Sequence, residues 1–231
     1  MPRALLSVHD KTDLVPFAST LHELGWDLVA SGGTERALRD AGLPVTPVEQ
    51  VTGLPEMLGG RVKTLHPAIH GGILARDRDE DRAELSKHGY APINLVACNL
   101  YPFAETVARQ CVTLQDAIDD IYIGGVTLIR AAAKNFFSVV AVCDPADYGH
   151  VTAALRATGE VYMALLRNLA VKAFAHTRDY DTAIHAYLAQ GITTPVDADE
   201  LPDQLSLAVH KVDTLRYGEN PRQVAAYYST T

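Results

Sequence analysis

The segment Asp27-Leu-Val-Ala-Ser-Gly-Gly-Thr34 joins a short apolar run to a glycine turn. The apolar run favours a buried strand, and the residues from about Glu35 onward favour a helix. The same order of strand, glycine or polar turn and helix recurs in the early part of the chain. Strands that alternate with helices are typical of a parallel sheet that is covered on both faces. The sequence therefore predicts an α/β fold with a mainly parallel sheet and helices on both faces.

Three further short apolar runs are predicted to be buried strands, namely residues 3–8, 93–100 and 138–143. A first helix is predicted from about Asp13 to Leu24, because its apolar side chains then share one face. Thr113 and Asp116 have the spacing of a capping box at a helix start. Residues 161–190 have a strongly helical composition and are predicted to form two helices, with a break near residues 177–180.

Composition excludes several classes of protein. The 231 residues include 20 Lys and Arg against 28 Asp and Glu, so the net charge of −8 lacks the broad basic field of a general nucleic-acid binder. Three cysteines without a C-x-x-C pair indicate free thiols in a reducing compartment. The apolar runs are too short for a membrane span or a signal peptide. We therefore expect a cytoplasmic protein that binds neither membranes nor nucleic acid.

The chain is predicted to consist of a main domain, a linker and a short C-terminal extension. Residues 1–191 carry the alternating pattern. Residues 192–204 contain two prolines and four acidic residues, which is typical of a linker. Residues 205–217 have β character and are followed by a Gly-Glu-Asn-Pro turn, so residues 205–231 are predicted to begin a second domain.

The tetrapeptide Ser31-Gly-Gly-Thr34 is a candidate anion site. Glycines let backbone N–H groups converge on an anion, and the following helix N-terminus favours negative charge. On these four residues alone, however, an ordinary strand-to-helix turn is the favoured interpretation.

The segment Gly59-Gly-Arg-Val-Lys-Thr-Leu-His-Pro67 is richer in chemistry. If the segment is extended, Arg61 and Lys63 point in the same direction, with Thr64 and His66 as further donors. A solvated basic loop is the alternative interpretation. The spacing of His66 and His70 suits zinc, but Pro67 lies between them and no Glu follows His66, so no metal site is predicted.

Two more segments place polar groups where α/β proteins bind ligands. Asn99 and Tyr101 follow a predicted strand, and ligands bind beyond the carboxyl ends of strands. A purely structural role for the aromatic residue is an equal alternative. Gly124 and Gly125 open a predicted helix that ends at Lys134, where a cation also complements the helix dipole.

Together these motifs resemble the N-terminal IMP cyclohydrolase domain of the bifunctional AICAR transformylase/IMP cyclohydrolase family. They occur in the family's order and cover most of residues 1–190. The motifs are Ser7-Val-His-Asp-Lys-Thr12, Ala30-Ser-Gly-Gly-Thr34, Gly60-Arg-Val-Lys-Thr-Leu-His-Pro67, Asn99-Leu-Tyr-Pro-Phe103, Ile123-Gly-Gly-Val-Thr-Leu-Ile-Arg-Ala-Ala-Ala-Lys-Asn135 and Lys172-Ala-Phe-Ala-His-Thr177.

The resemblance implies a methylglyoxal-synthase-like fold and an activity without cofactor or metal. That activity closes the formylated carboxamide nucleotide FAICAR to inosine monophosphate (IMP) and releases water. The residues that fall on catalytic positions are Lys63, Tyr101 and Lys134, with Tyr122 where the family has Asp. The residues implied to bind substrate are Ser7, His9, Asp10, Lys11, Ser31, Gly32, Gly33, Thr34, Arg61, Val62, Thr64, Cys98, Asn99, Ile123, Gly124 and Gly125.

The sequence departs from the family pattern at several positions. Tyr122 replaces an Asp, whereas His9 and Asp13 replace a Ser and a Gly. Near the end, Arg216-Tyr-Gly-Glu-Asn-Pro-Arg-Gln223 resembles the first motif of the transformylase domain, with Arg222 in place of a His. Arg216 and Tyr217 are therefore predicted to be vestigial AICAR-binding residues. A truncated chain, a natural stand-alone cyclohydrolase and a split enzyme fit this ending equally well.

Three hypotheses of function follow. The first is an active IMP cyclohydrolase, and the second is a nucleotide-binding module that has lost catalysis because of Tyr122. The third is methylglyoxal synthase, suggested by the shared fold. No formyltransferase activity is expected, because about 30 residues after the linker cannot build a second substrate cleft. The expected partners are purine nucleotides, and a homodimer and a complex with a separate transformylase chain both remain open.

Overall fold

A computed structural model describes residues 1–109, 111–189, 209–220 and 222–229. The chain divides into two compact units, Met1–Gln190 and Gly191–Thr231. The predicted linker, residues 192–204, lies outside the described residues. Within the part of the chain that the structure describes, no helix combines the length and the apolar character needed to cross a membrane.

A five-stranded parallel sheet forms the centre of the first unit. Its strands are β1 (Arg3–Ser7), β2 (Asp27–Ala30), β3 (Thr46–Pro47), β4 (Leu95–Cys98) and β5 (Val140–Val142). They lie in the order β3-β2-β1-β4-β5. The central strand is β1, in which Leu5 pairs with Val29 on one side and with Val96 on the other. The predicted parallel sheet is therefore confirmed.

Ten α-helices accompany the sheet in the described residues. They are α1 (Leu14–Glu23), α2 (Gly32–Asp40), α3 (Val48–Thr52), α4 (Pro67–Leu74), α5 (Asp79–Lys87), α6 (Phe103–Val107), α7 (Leu114–Asp119), α8 (Ile123–Lys134), α9 (Tyr148–Thr158) and α10 (Met163–Ala189). Short 3₁₀ turns span Leu58–Gly60 and Pro145–Asp147. The predicted capping box of Thr113 and Asp116 is confirmed at the start of α7.

The sheet is buried on both faces. Leu5 and Val96 belong to one hydrophobic cluster, which also contains residues of α4, α8 and α10. The neighbouring residues Leu6 and Ala97 belong to a second cluster with residues of α1 and α9. Because side chains alternate along a strand, β1, β2, β4 and β5 each contribute to both clusters. This double burial explains why the strands are short, almost continuous apolar runs.

Two predicted helix boundaries are wrong. The second helix begins at Gly32 rather than near Glu35, so both glycines lie in its first turn. The predicted break near residues 177–180 is absent, and α10 is one helix of 27 residues. Thr177 and Tyr180 are buried there, and the Thr177 hydroxyl donates to the Phe174 carbonyl at 3.2 Å. Packing of these two residues against the core keeps the helix continuous at this point.

The second unit contains a β-hairpin. Strand β6 (His210–Leu215) pairs antiparallel with β7 (Ala225–Ser229). The predicted β character of residues 205–217 is thus confirmed for residues 210–215, while residues 205–208 lie outside the described residues.

Candidate functional site

A pocket of about 700 Å³ opens at the carboxyl ends of β1 and β2. This volume lies within the range of ligand sites. It brings together twelve of the residues predicted from the sequence, namely Ser7, His9, Lys11, Ser31, Gly32, Gly33, Thr34, Arg61, Lys63, Tyr101, Tyr122 and Ile123. The segments that carry these residues are far apart in sequence, and the parallel sheet places their ends at one edge.

The N-terminus of α2 forms one end of this pocket. Lys63 Nζ lies 3.4 Å from the point that a Cβ on Gly32 would occupy, and Lys11 Nζ lies 3.7 Å from the equivalent point on Gly33. Buried Thr34 accepts a hydrogen bond from the Val8 N–H at 2.9 Å and donates one to the Val8 carbonyl at 3.0 Å. Two ammonium groups therefore converge on a rigidly held helix N-terminus, which favours an anion.

The segment that carries Arg61 and Lys63 is a tight turn rather than an extended strand. Gly60 has φ of 90°, and a Cβ there would lie 2.9 Å from Lys63 Cε. Only glycine fits this position without strain. Glu56 holds the Lys63 ammonium at 2.7 Å, and Asp119 holds Arg61 at 3.1 Å. Both cations still line the pocket because the turn directs them there.

The two histidines that follow this turn, His66 and His70, have the surroundings of structural residues. His66 Nδ1 accepts a hydrogen bond from the Ala68 N–H at 3.1 Å and so caps α4. Burial lowers the pKa of His70, which favours its neutral form. In the described residues, no three His, Cys, Asp or Glu side chains are grouped so that they could hold a metal ion.

Three rings meet at the wall of the pocket. His9 lies over Tyr101 with 4.1 Å between ring centroids. Tyr122 meets Tyr101 edge to face at 6.0 Å and 87°. His9 and Tyr122 are two of the positions at which the sequence departs from the family pattern. The fold thus brings the residues at both of these positions into contact with the same tyrosine, Tyr101.

Tyr122 is the N-cap residue of α8, yet its side chain does not cap the helix. Its ring instead covers Gly125, where a Cβ would lie 2.3 Å from the ring. The phenol oxygen lies 3.4 Å from Ser7 Oγ. Burial raises the pKa of Tyr122 to about 12. The phenol is therefore neutral near pH 7 and serves as a hydrogen-bond donor rather than a base.

Asn99 does not line the pocket but holds one of its loops through hydrogen bonds. Its side-chain oxygen accepts hydrogen bonds from the backbone N–H groups of His9 at 2.6 Å and Asp10 at 3.0 Å. Its amide nitrogen donates to the Asp10 carbonyl at 3.1 Å. Asn99 thereby fixes the loop that presents Lys11. The neighbouring Cys98 thiol is fully buried, and burial raises its pKa, so it remains protonated.

Not every predicted site residue lines the pocket. Asp10, Val62, Thr64, Cys98, Asn99, Gly124 and Gly125 are absent from its lining, although each adjoins a residue that lines it or packs beneath one. Lys134 lies at the other end of α8 and is exposed. It lies eleven residue steps along the helix from Ile123, which corresponds to about 16 Å. Within one chain, Lys134 does not join the pocket, and its catalytic role stays a prediction. Arg216 and Tyr217 are exposed residues of the second unit.

The structure adds lining residues that were not among the predicted site residues, although three of them lie in the quoted motifs, namely Val8, Gly59, Gly60, Ile118, Asp119, Asp120 and Ile121. The two acidic residues stand immediately before the glycine turn that opens α8. The sequence feature that could have identified them is their position just before a turn predicted to bind the ligand. Nothing in the local pattern indicates that Asp119 would reach Arg61.

Comparisons with known proteins agree with this arrangement. Residues 13–127 match the MGS-like domain, and residues 132–231 match the family described as AICARFT/IMPCHase bienzyme. The bifunctional purine biosynthesis protein PurH of Chloroflexus aurantiacus is 55% identical over 98% of this chain, and PurH of Cyanothece sp. is 51% identical over 99%. This chain spans 43% and 45% of their lengths, which is less than half of each.

A solved structure is also similar. The crystal structure of ForH has a TM-score of 0.72 and 36% sequence identity, and the match covers 81% of this chain and 98% of ForH. The expected methylglyoxal-synthase-like fold is thereby confirmed. The chain belongs to the AICARFT/IMPCHase bienzyme family, in which it matches the N-terminal, MGS-like cyclohydrolase region of PurH.

Proposed function

We propose that this chain is an IMP cyclohydrolase that closes FAICAR to IMP with loss of water. The observation that carries the proposal is the pocket itself. Two lysines converge on the N-terminus of α2, and two tyrosines and the N-terminus of α8 share the same cavity. Membership in the PurH family supports this activity over methylglyoxal synthase.

The α2 end of the pocket suits the nucleotide phosphate. Lys11 and the first N–H groups of α2 present positive charge to the same point. The base then extends toward Tyr101 and Tyr122, because these rings line the same pocket. The aromatic rings at that end, with the acidic residues Asp119 and Asp120 nearby in the lining, suit a planar heterocycle better than a second anion.

The ring closure needs few groups from the protein. The carboxamide nitrogen attacks the formyl carbon, and negative charge develops on the formyl oxygen. Lys63 and the N–H groups at the start of α8 are the donors available to stabilise that oxygen. Holding the two reacting groups of one molecule in contact lowers the entropic cost. The two nitrogens give up two protons in all, the oxygen takes up two, and its bond to carbon breaks as water departs.

The decisive experiment incubates the purified chain with FAICAR and follows IMP formation. Appearance of IMP above the uncatalysed rate supports the proposal. A parallel incubation with dihydroxyacetone phosphate tests for methylglyoxal. IMP binding without turnover of either compound identifies a nucleotide-binding module instead. The prediction that the chain does not formylate AICAR is checked by adding a folate formyl donor.

Replacement of Lys11 by alanine (Lys11→Ala) is expected to weaken IMP binding about tenfold at low salt, because a charge-assisted contact to phosphate is lost. The loss shrinks at high salt, since screening already weakens that contact in the parent chain. Calorimetric titration at two salt concentrations measures both effects. Lys87→Ala, at the end of α5 and away from the pocket lining, is the control. Unchanged affinity in Lys11→Ala removes Lys11 from the site.

We also propose a cytoplasmic location. The thiols of Cys98, Cys111 and Cys143 are free, which suits a reducing compartment. A homodimer and a complex with a separate transformylase chain are distinguished by measuring the mass of the purified chain in solution, alone and with that partner.

A further inference from the structure

The turn before α8 is a wall of the pocket. Asp120, Ile121 and Tyr122 all line the cavity, and the next residue, Ile123, begins the helix. No side chain caps α8 at its N-cap residue. The direction of the first N–H groups of α8 therefore depends on what holds this turn.

Tyr180 holds it. The Tyr180 hydroxyl accepts a hydrogen bond from the Tyr122 N–H at 2.8 Å and donates one to the Asp120 carbonyl at 3.5 Å. One oxygen atom thus bridges both ends of a three-residue turn. Tyr180 comes from α10 and is 7% exposed, so water does not readily substitute for it. Burial also raises the pKa of Tyr180, so the hydroxyl keeps the proton that it donates.

The ring of Tyr180 reaches the second loop of the site. It meets Phe103 edge to face at 6.3 Å between centroids. Phe103 is buried and begins α6, two residues after Tyr101. Tyr180 is therefore in contact with the segments that present both pocket tyrosines.

We propose that Tyr180 is a positioning residue for the base end of the nucleotide site, because its hydroxyl fixes the turn that presents Tyr122 and the first N–H groups of α8. The inference rests on the proposed function. It does not involve the phosphate end, where α2 and Lys11 are held by other contacts. Loss of the hydroxyl leaves the Tyr122 N–H without that partner, and the turn must move to find another.

The test is Tyr180→Phe in the full chain, with two ligands. IMP reports on both ends of the pocket, whereas ribose 5-phosphate reports on the phosphate end alone. We expect IMP affinity to fall about tenfold, as for a buried N–H that loses its partner, and ribose 5-phosphate affinity to stay within twofold. Tyr187→Phe is the matched control, because Tyr187 lies on the same helix and meets the same Phe103 ring at 5.8 Å.

Each outcome bears on the proposal. An equal loss for both ligands indicates general destabilisation and overturns it, as does unchanged IMP affinity in Tyr180→Phe. An equal fall in Tyr187→Phe assigns the effect to helix packing and also overturns it. If the parent chain does not bind IMP at all, the proposed function fails and this inference fails with it. Because that outcome appears in the parent chain, the two failures are distinguishable.

Discussion

Replacement of Tyr122 by aspartate (Tyr122→Asp) is expected to raise the rate of IMP formation at saturating FAICAR by up to about 10²–10⁴-fold. That range is the usual contribution of general acid–base catalysis. The phenol is neutral, with its pKa raised to about 12, and cannot accept a proton near pH 7. Aspartate also caps helices well, so it supplies the side-chain cap that α8 lacks. The rate is measured by the appearance of IMP.

Tyr122→Asn separates the two effects of that change. Asparagine caps the helix as aspartate does but carries no charge and is not a base. We expect little rise in its rate. An equal rise in both variants means that removal of the phenol or the new cap causes the gain. A fall in Tyr122→Asp means that Tyr122 has taken a catalytic role of its own, and the family mechanism does not apply to this chain.

Gly125→Ala is expected to destabilise the chain by about 1–3 kcal/mol, the usual cost of inserting a methyl into a filled core. A Cβ at Gly125 would lie 2.3 Å from the Tyr122 ring and 2.8 Å from Leu100 Cδ2. At this chain length, each kcal/mol lowers the melting temperature by about 2–4 °C. The displaced Tyr122 ring also removes part of the pocket wall, so IMP affinity falls as well. Thermal unfolding and calorimetry measure the two effects.

Gly149→Ala is the matched control, because Gly149 also lies in the first turn of a helix and a Cβ there meets nothing within 4 Å. We expect its melting temperature to be unchanged or slightly raised. Part of the cost of Gly125→Ala disappears when it is combined with Tyr122→Asp, since the shorter side chain vacates the space above the helix. Strictly additive effects in that double variant would show that the Tyr122 ring does not limit position 125.

The fold could be predicted in outline because its strands are clear apolar runs in the sequence. Leu5 and Leu6 face opposite clusters, so both must be apolar, and such a run is typical of a strand buried on both faces. The length of α10 could not be predicted, because burial of Thr177 and Tyr180 depends on elements distant in sequence. Local composition suggests a break there, and tertiary packing overrides it.

Site residues could be predicted where polar or charged side chains lie next to a glycine turn, and less well elsewhere. Ser31 to Thr34 and the turn with Arg61 and Lys63 carry their own signals. Tyr180 carries none, since a tyrosine within a long helix is ordinarily a packing residue. Its hydroxyl acquires a role only because α10 crosses the turn before α8. Lys134 shows the converse, because its helix begins at the site while Lys134 itself lies at the other end, about 16 Å along the helix axis.

The position of β1 in the sheet has a consequence during protein synthesis. This central strand leaves the ribosome before the other strands of the sheet, yet β4, in which Leu95 pairs with Ala4, is made about 90 residues later. At a synthesis rate of about 5–20 residues per second, one edge of the apolar strand β1 stays unpaired for about 5–20 s. Unpaired strand edges recruit other chains. We therefore expect aggregation of the nascent chain to follow the translation time between residues 7 and 95 rather than the stability of the finished sheet.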